Sequence, residues 1–374
     1  EQEACAMTAS DFFHMRAALS LARRGLGRTA PNPAVGCVLV HNGTVVGRGW
    51  TQPGGRPHAE TEALRRAETA ARGATAYVSL EPCSHQGLTP PCAEALISAG
   101  ISRCVVACED PDPRVSGRGI QRLREAGIDV QVGLLREEAE ALNQGFFLHR
   151  LEQRPSVTLK LASSLDGRIA LASGESRWIT GPEARQRVHL ERAEHDAILV
   201  GSGTALADNP RLDVRLPGLE KRSPLRVLLD SALRLPPSHD LVTRAREQAT
   251  LILTRTGHSE ERLRSLAAEG VEIVTLSDCD SEGRPKPEAV LRELARRGVT
   301  RLMVEGGAAI AASFLKGPGV DRLLWFRAGK IIGSDGRAAV EALHLESLAA
   351  APQLRLARIE EVGGDLLETW VRSV

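Results

Sequence analysis

Short apolar runs of the β type alternate with helical patterns through roughly the first 150 residues of the chain. Residues 34–40 and 44–50 are two such runs, and the His-Asn-Gly sequence between them predicts a hairpin turn. Residues 60–73 have a helical pattern that ends in glycine, a common helix terminator. Strand and helix patterns then follow one another at residues 75–80, 92–100, 103–108, 118–127 and 129–133. This alternation predicts an α/β layer architecture.

The pattern changes at residues 149–157, a charged segment interrupted by a proline, where we predict a linker. A second α/β series follows, and each of its apolar runs is long enough for a buried strand. These runs lie within residues 157–162, 195–204, 225–231, 249–254, 271–276 and 301–315. The pattern of residues 338–374 predicts a helix followed by strands. Because 374 residues exceed one ordinary core, we predict two domains, 7–152 and 153–374, with Met7 as a candidate natural start.

Composition excludes several classes of function. The net charge of +1 provides no broad basic field for nucleic acid, and aromatic residues, at 3%, are few for stacking unpaired bases. No apolar run approaches the ~20 residues that span a bilayer, so no membrane partner is expected. The first residues, EQEACAM, lack the basic and apolar regions of a signal peptide. Seven scattered cysteines do not resemble a disulfide framework, which favours a reducing cytoplasm.

One histidine and two cysteines of the first domain have the character of zinc ligands. His58 opens the predicted helix with Glu60 two residues later, whereas Cys83 and Cys92 each follow a proline in the loop after a strand. One imidazole and two thiolates leave the fourth position of a tetrahedral zinc site to water. The pattern His-x-Glu followed by Pro-Cys and a second Cys is typical of zinc deaminases acting on bases. His85 is an alternative ligand. Taken one at a time, a histidine such as His58 is more commonly solvated, and cysteines such as Cys83 and Cys92 more commonly lie in the core.

Four segments carry a resemblance to a known family: PNPAVGCVLV, GGRPHAETEAL, EPCSHQGLTPPCAEALI and EDPDPRVSGRGI. They resemble the bifunctional pyrimidine deaminase–reductase of bacterial riboflavin biosynthesis, in which the long cysteine spacing is characteristic. The resemblance implies a cytidine-deaminase-like α/β/α fold for the first domain. It also implies one zinc ion per chain bound by His58, Cys83 and Cys92, with Glu60 as the catalytic proton shuttle.

The substrate contacts of this domain match the family in part. Asn32 and Asp110 correspond to substrate-binding positions. Members often carry other residue types at three positions of substrate contact, here Thr51, Leu88 and Asp112. A basic residue at position 88 would suit a substrate phosphate. Because this chain has Leu88 there, Arg56 or Arg114 is a candidate source of the positive charge.

The second domain lacks the G-x-G-x-x-G of a Rossmann dinucleotide site. It has VEGGAAIAASFL, a strand, two glycines and a helix whose N-terminus suits a phosphate. LKLASSLDGRIALASGESRWITG and AILVGSGTALADNPRLDVR resemble the reductase half of the same family, which implies a dihydrofolate-reductase-like α/β fold and NADPH. The implied cofactor-binding residues are Ala162, Trp178, Thr204, Asp208, Ser231, Gly307, Ala308, Ala309, Ile310, Ala311, Ala312 and Ser313. The implied substrate-binding residues are Ser176, Arg192, Leu212, Arg215 and Glu305.

The resemblance implies two successive reactions on a small-molecule pyrimidine ribose phosphate. The first is zinc-dependent hydrolytic deamination of 2,5-diamino-6-ribosylamino-4(3H)-pyrimidinone 5′-phosphate, and the second is NADPH-dependent reduction of the ribosyl to a ribityl side chain. Lys160, Asp166 and Glu305 are candidate proton donors for the reduction. Two alternatives are a different zinc deaminase, acting on tRNA or free bases, and a relative whose altered deaminase site leaves only reductase activity. Assembly into a homo-oligomer is left open by the sequence.

Overall fold

The computed structural model describes residues 7–84, 90–113, 115–317 and 319–372. The chain divides into two compact units, one ending at Gln153 and the other beginning at Arg154. The segment that predicts a linker is mostly regular structure, because a helix ends at Glu152 and a strand begins at Ser156. Within the described residues, no helix has both the length and the apolar character needed to cross a membrane.

The first unit is built on a five-stranded mixed sheet. Its strands are β1 (Gly36–His41), β2 (Thr44–Trp50), β3 (Thr75–Val78), β4 (Arg103–Val106) and β5 (Asp129–Val132). They lie in the order β2-β1-β3-β4-β5, with β1 antiparallel to both neighbours and β3, β4 and β5 parallel. The helices are α1 (Ala9–Ala22), α2 (Ala59–Ala67), α3 (Cys92–Ala99), α4 (Arg118–Glu125), α5 (Arg136–Leu142) and α6 (Gln144–Glu152).

Local sequence explains most of these boundaries. The predicted hairpin is confirmed, and its turn residues Asn42 and Gly43 have φ angles of 49° and 75°, as a tight two-residue turn requires. Gly100 ends α3 in the left-handed region, as predicted. The helix predicted to reach Gly73 is shorter, because Glu68 leaves the helical region at φ 50° and a 3₁₀ turn follows.

The position of α2 against the sheet depends on a glycine of β2. A Cβ on Gly49 would lie 2.0 Å from the carbonyl oxygen of Ala59, a distance that no side chain tolerates. Glycine therefore lets the first turn of α2 approach the hairpin closely. This close packing fixes the start of α2, where His58 and Glu60 lie.

The second unit contains a nine-stranded sheet and a two-stranded one. Its strands are β6 (Ser156–Ser164), β7 (Arg168–Ala170), β8 (Ala197–Gly201), β9 (Leu225–Leu229), β10 (Thr250–Arg255), β11 (Glu272–Leu276), β12 (Arg301–Val304), β13 (Arg322–Ala328), β14 (Arg337–Ala338), β15 (Leu354–Val362) and β16 (Asp365–Arg372). The large sheet has the order β11-β10-β9-β8-β12-β6-β13-β16-β15, and β7 pairs with β14. The first seven strands in this spatial order, from β11 through β13, are parallel to one another. Strand β16 is antiparallel to both its neighbours, β13 and β15.

Helices cover the parallel part of this sheet. They are α7 (Pro182–Ala193), α8 (Ser202–Asp208), α9 (Asp240–Thr243), α10 (Glu260–Ala268), α11 (Pro287–Arg296) and α12 (Ala308–Lys316). Leu159, Leu199 and Leu302 on neighbouring central strands are fully buried, as expected for a parallel sheet covered on both faces. The predicted α/β fold class is confirmed in both units.

One prediction for the second unit is wrong. Residues 338–374 do not begin with an α-helix, because the described part of this segment holds the last residue of β14, one 3₁₀ turn, Leu348–Ala350, and strands β15 and β16. The alanines that favour a helix lie at 338–351, before β15, where helix propensity alone is only a weak guide to structure.

Candidate active sites

Three side chains of the first unit meet at the ends of three elements. His58 is the N-cap of α2, Cys83 follows the extended segment after β3, and Cys92 is the first residue of α3. The Nδ1 atom of His58 lies 3.3 Å from the Sγ of Cys92 and 3.7 Å from the Sγ of Cys83. The backbone N–H of Cys92 donates to the Cys83 Sγ at 3.3 Å.

This cluster fits a zinc ion. Its three ligand atoms lie within 4.8 Å of one another. Bonds of about 2.0–2.3 Å at tetrahedral angles place zinc ligands roughly 3.5–3.8 Å apart, close to the observed separations. A hydrogen bond from the Cys92 thiol lowers the pKa of Cys83 to about 4, so Cys83 is in the thiolate form that binds metal.

Glu60 lies beside this cluster in the first turn of α2. It is buried, and it lines the same cavity as His58 and Cys83. Burial, reinforced by the charge of Cys83, raises the pKa of Glu60 to about 7. A carboxyl group with such a pKa can both take up and release a proton near neutral pH.

The cavity has a volume of about 310 Å³ and includes both predicted substrate-binding residues, Asn32 and Asp110. Gly55 makes room for Asn32, since a Cβ at Gly55 would lie 2.0 Å from the Asn32 Nδ2. Gly55 has a φ of 82°, so glycine is favoured there for its backbone as well. Leu88, Arg114 and His85, which the sequence singles out, lie outside the described residues.

The other two departures from the family pattern, Thr51 and Asp112, are buried and line the cavity. The Thr51 Oγ1 accepts a hydrogen bond from the Val35 N–H at 3.0 Å. The backbone N–H of Asp112 donates to the Asp110 Oδ1 at 2.8 Å. Both residues therefore hold neighbouring cavity residues in place.

Glu81 is a functional candidate that the sequence analysis missed. Its buried carboxylate accepts hydrogen bonds from four backbone N–H groups, those of Asp110, Gly117, Gly119 and Ile120, at 2.8–3.3 Å. It connects the segment that carries Cys83 to the loop that carries Asp110 and to the start of α4. Its position directly before Pro82 and Cys83 could have marked it as a site residue. Its hydrogen-bond partners could not be predicted from local sequence, because they lie 29 to 39 residues away along the chain.

Two more missed residues, Phe146 and Arg150, line the cavity from α6. The Arg150 guanidinium carbon lies 5.4 Å from the centre of the Phe146 ring. Nothing in the sequence of this amphipathic helix distinguishes the two residues from ordinary core and surface positions.

The second unit contains a larger cavity, of about 640 Å³. It brings together most of the residues implied for the reductase, which come from strands, helices and loops spread over the unit. Those in its wall are Ala162, Ser176, Trp178, Arg192, Thr204, Asp208, Leu212, Arg215 and Glu305. Ser231 and Gly307–Ser313 are not among its lining residues, although the Gly307 backbone is close to it, with a built Cβ 3.2 Å from the Thr204 Oγ1.

A charged cluster forms part of this cavity. The Arg192 guanidinium donates two hydrogen bonds to the Glu305 carboxylate, at 2.6 and 2.9 Å. Although burial opposes it, the Arg192 charge holds the pKa of Glu305 below its usual range. Lys160 lines the same wall, and burial lowers its pKa despite the nearby Glu305. Glu305 is therefore an ionised acceptor, and Lys160 is the stronger candidate of the two for a proton donor.

Asp166, the third proton-donor candidate of the sequence analysis, lies elsewhere. Its carboxylate accepts hydrogen bonds from the Ser164 hydroxyl and from the backbone N–H groups of Ile332 and Gly333. The Ser164 bond comes first among the causes that lower the pKa of Asp166 to about 2. Asp166 therefore acts as a loop anchor.

Comparison with known proteins identifies both units. Residues 8–108 match the family model for the cytidine and deoxycytidylate deaminase zinc-binding region, and residues 155–367 match that for the RibD C-terminal domain. Riboflavin biosynthesis protein RibD of Escherichia coli K12 is 44% identical over 368 residues, covering 95% of this chain and 98% of the relative. RibD of Aquifex aeolicus is 41% identical over 354 residues, covering 95% and 96%.

Solved structures agree over nearly the whole chain. Acinetobacter baumannii RibD, form 1, has a TM-score of 0.86 at 37% identity, covering 98% of this chain and 99% of that one. The Thermotoga maritima diaminohydroxyphosphoribosylaminopyrimidine deaminase/5-amino-6-(5-phosphoribosylamino)uracil reductase has a TM-score of 0.85 at 35% identity, covering 97% and 99%. The chain belongs to the RibD family of bifunctional deaminase–reductases of riboflavin biosynthesis.

Proposed function

We propose that this protein carries out two successive steps of riboflavin biosynthesis. The first unit deaminates 2,5-diamino-6-ribosylamino-4(3H)-pyrimidinone 5′-phosphate, and the second reduces the ribosyl group of the product with NADPH. The observation that carries the proposal is the convergence of His58, Cys83 and Cys92 beside the buried Glu60 in one cavity. The charged cavity of the second unit supports the reductase half.

In the deaminase half, His58, Cys83 and Cys92 would hold one zinc ion. The metal supplies Lewis acidity, which makes water a nucleophile at neutral pH. Glu60 takes one proton from the attacking water and delivers it to a ring nitrogen as the new C–O bond forms. It then moves the second proton from the new hydroxyl group to the amino group, which leaves as ammonia when the C–N bond breaks. Asn32 and Asp110 orient the substrate within the cavity, and Glu81 holds the Asp110 loop in place.

In the reductase half, NADPH supplies the hydride that reaches C1′ of the ribosyl group. Arg215, which is exposed and paired with Asp213, provides positive charge for the substrate phosphate, and Arg192 is paired with Glu305. Lys160 donates the proton that completes the reduction. Glu305 positions Arg192 through two hydrogen bonds, and its negative charge acts on Lys160. Ala162, Trp178, Thr204 and Asp208 are the proposed cofactor contacts in the cavity wall. Ser231 and Gly307–Ser313 complete the proposed cofactor set from outside it.

Cellular setting and assembly are further proposals. The cysteines that the structure describes are not joined in disulfides; they are Cys37, Cys83, Cys92, Cys104, Cys108 and Cys279. Unpaired cysteines and a zinc site are compatible with the reducing cytoplasm that we propose. Homo-oligomer formation stays a prediction, which light scattering of the purified protein tests.

The test supplies the diaminopyrimidine phosphate and NADPH to the zinc-loaded protein and follows ammonia and NADPH absorbance together. We expect ammonia release followed by NADPH oxidation in equal amount. Ammonia release without NADPH oxidation would indicate a zinc deaminase of another kind. NADPH oxidation only with pre-deaminated substrate would indicate a relative that retains reduction alone.

A further inference from the structure

The cavity of the first unit has an uneven distribution of charge. Its described lining residues include four carboxylates, Glu60, Glu81, Asp110 and Asp112, and two guanidinium groups, Arg56 and Arg150. The carboxylate of Glu81 is already bound by backbone N–H groups. The phosphate dianion of a substrate would be repelled by the other carboxylates of the wall. Its binding therefore requires a cationic side chain in the cavity.

The two arginines act on different parts of the wall. Arg56 lies two residues before His58, and its charge acts on that imidazole, at the reacting end of the cavity. Arg150 comes from α6, and its charge acts on Asp110, where it opposes the effect of burial on the pKa of that carboxyl. A phosphate lies at the other end of the substrate from the reacting ring, so Arg150 is the arginine placed to meet it.

Arg150 is also prepared to bind a ligand. Its Nε atom is buried, and the described part of the chain offers that N–H no acceptor. A buried donor without an acceptor is unfavourable until one is supplied. The guanidinium lies over the Phe146 ring, one helical turn earlier on α6, which restricts the positions that the side chain can take. An oriented guanidinium with a free N–H suits a phosphate oxygen.

We propose that Arg150 recognises the 5′-phosphate of the substrate in the deaminase cavity and makes this site selective for phosphorylated pyrimidine ribosides. The assignment rests on the proposed function and deepens its deaminase half. Arg150 touches the substrate at a distance from the reacting atoms, so it contributes binding and selectivity.

The test compares Arg150→Met with the wild-type protein on the phosphorylated substrate and on its dephosphorylated riboside. Methionine keeps the apolar stem against Phe146 and removes the charge. We expect kcat/KM for ammonia release from the phosphorylated substrate to fall about 10- to 100-fold, the loss of a charge-assisted hydrogen bond. The value for the riboside should stay unchanged, and Arg150→Lys should be intermediate.

Three internal controls accompany this test. Arg136→Met removes an exposed arginine at the start of α5 and should match the wild-type protein. Zinc content and the reduction of pre-deaminated substrate should also be unchanged in Arg150→Met. An equal loss on both substrates, or unchanged selectivity for phosphate, would overturn the Arg150 assignment while the proposed function stood. If the wild-type protein released no ammonia from either compound, the proposed function and the Arg150 assignment would both fail.

Discussion

The two candidate sites of this protein differ in how their chemistry is built. The site of the first unit depends on a few scarce residue types, an imidazole, two thiols and a carboxyl group, which lie at the start of α2, in the segment after β3 and at the start of α3. The cavity of the second unit depends on common residues spread from β6 to β13, held together by the Arg192–Glu305 pair. Replacement of one metal ligand should therefore abolish deamination, whereas replacement of one residue of the second cavity should lower the reduction rate only in part.

The largest expected effect is loss of the metal cluster. Cys83→Ser should reduce bound zinc far below one ion per chain, because serine is a poor ligand for zinc compared with a thiolate. Ammonia release should fall to background while reduction of pre-deaminated substrate continues. Metal analysis of the purified variant, together with both assays, checks this outcome. A Cys83→Ser protein with a full zinc content would remove Cys83 from the ligand set.

Glu60→Gln is the matched variant, since it keeps the shape of the site and removes the proton shuttle. It should retain zinc and lose about 10²- to 10⁴-fold in ammonia release, the usual contribution of a general acid–base group. Undiminished turnover with normal zinc would show that another group moves the proton.

In the second unit, Lys160→Met should reduce NADPH oxidation by about 10²-fold, because it removes the group that we propose as the proton donor. The deaminase rate should not change. Lys316→Met, at an exposed position at the end of α12, is the control and should match the wild-type protein in NADPH absorbance assays. Asp166→Asn should also retain the reduction rate; a larger loss there than in Lys160→Met would reverse the assignment.

The same contrast explains what could be predicted from sequence. Hairpin, strand and helix patterns predict most elements, because periodicity and turn residues are local properties. His58, Glu60, Cys83 and Cys92 are visible because their types and spacing are rare together. Lys160, Arg192 and Glu305 have no motif of their own, and a family resemblance was needed to select them. The helix predicted at the start of residues 338–374 is wrong, because the helix propensity of its alanines is a weak guide without a packed helical face.

Glu81 illustrates the part that sequence could not provide. Its role depends on backbone N–H groups far along the chain, so Glu81→Gln tests a contact that only the fold reveals. A glutamine amide would direct its NH₂ group either at the N–H donors of Asp110 and Gly117 or at those of Gly119 and Ile120, with repulsion in place of attraction. We expect KM for the deaminase substrate to rise about 10-fold, with zinc content retained and a smaller change in kcat.

The control for this change is Glu94→Gln, which alters a half-exposed ion pair with Arg122 on the same unit. Such pairs contribute little, so both kinetic constants should stay at wild-type values. A Glu81→Gln protein with unchanged KM would show that the Asp110 loop keeps its position without this carboxylate.

The smallest expected effect is the response of the second unit to acid through His195. His195 in the second unit is 1% exposed, with its Nδ1 2.6 Å from the Glu191 carbonyl oxygen and its Nε2 2.9 Å from the Thr158 Oγ1. Burial, with the nearby Arg301 charge, holds the pKa of His195 well below its usual range. The folded protein keeps this histidine neutral, whereas the unfolded chain protonates it below about pH 6.5. Stability from this residue is therefore complete above that pH and is lost as the pH falls.

The loss should reach about 1.4 kcal/mol in the free energy of unfolding per pH unit, the slope for one proton taken up on unfolding. His195→Gln removes this proton and should flatten the dependence of the thermal midpoint between about pH 6.5 and pH 5, whereas the exposed His344→Gln should not. Asp11 in the first unit has the same sign in a lower range: although burial opposes it, hydrogen bonds from Arg103 and Thr8 lower its pKa. Its contribution is lost only below about pH 4. Scanning calorimetry across these ranges would contradict the role of His195 if His195→Gln kept the full acid sensitivity of the wild-type protein. Another histidine whose pKa burial lowers, His14 or His189, would then carry it.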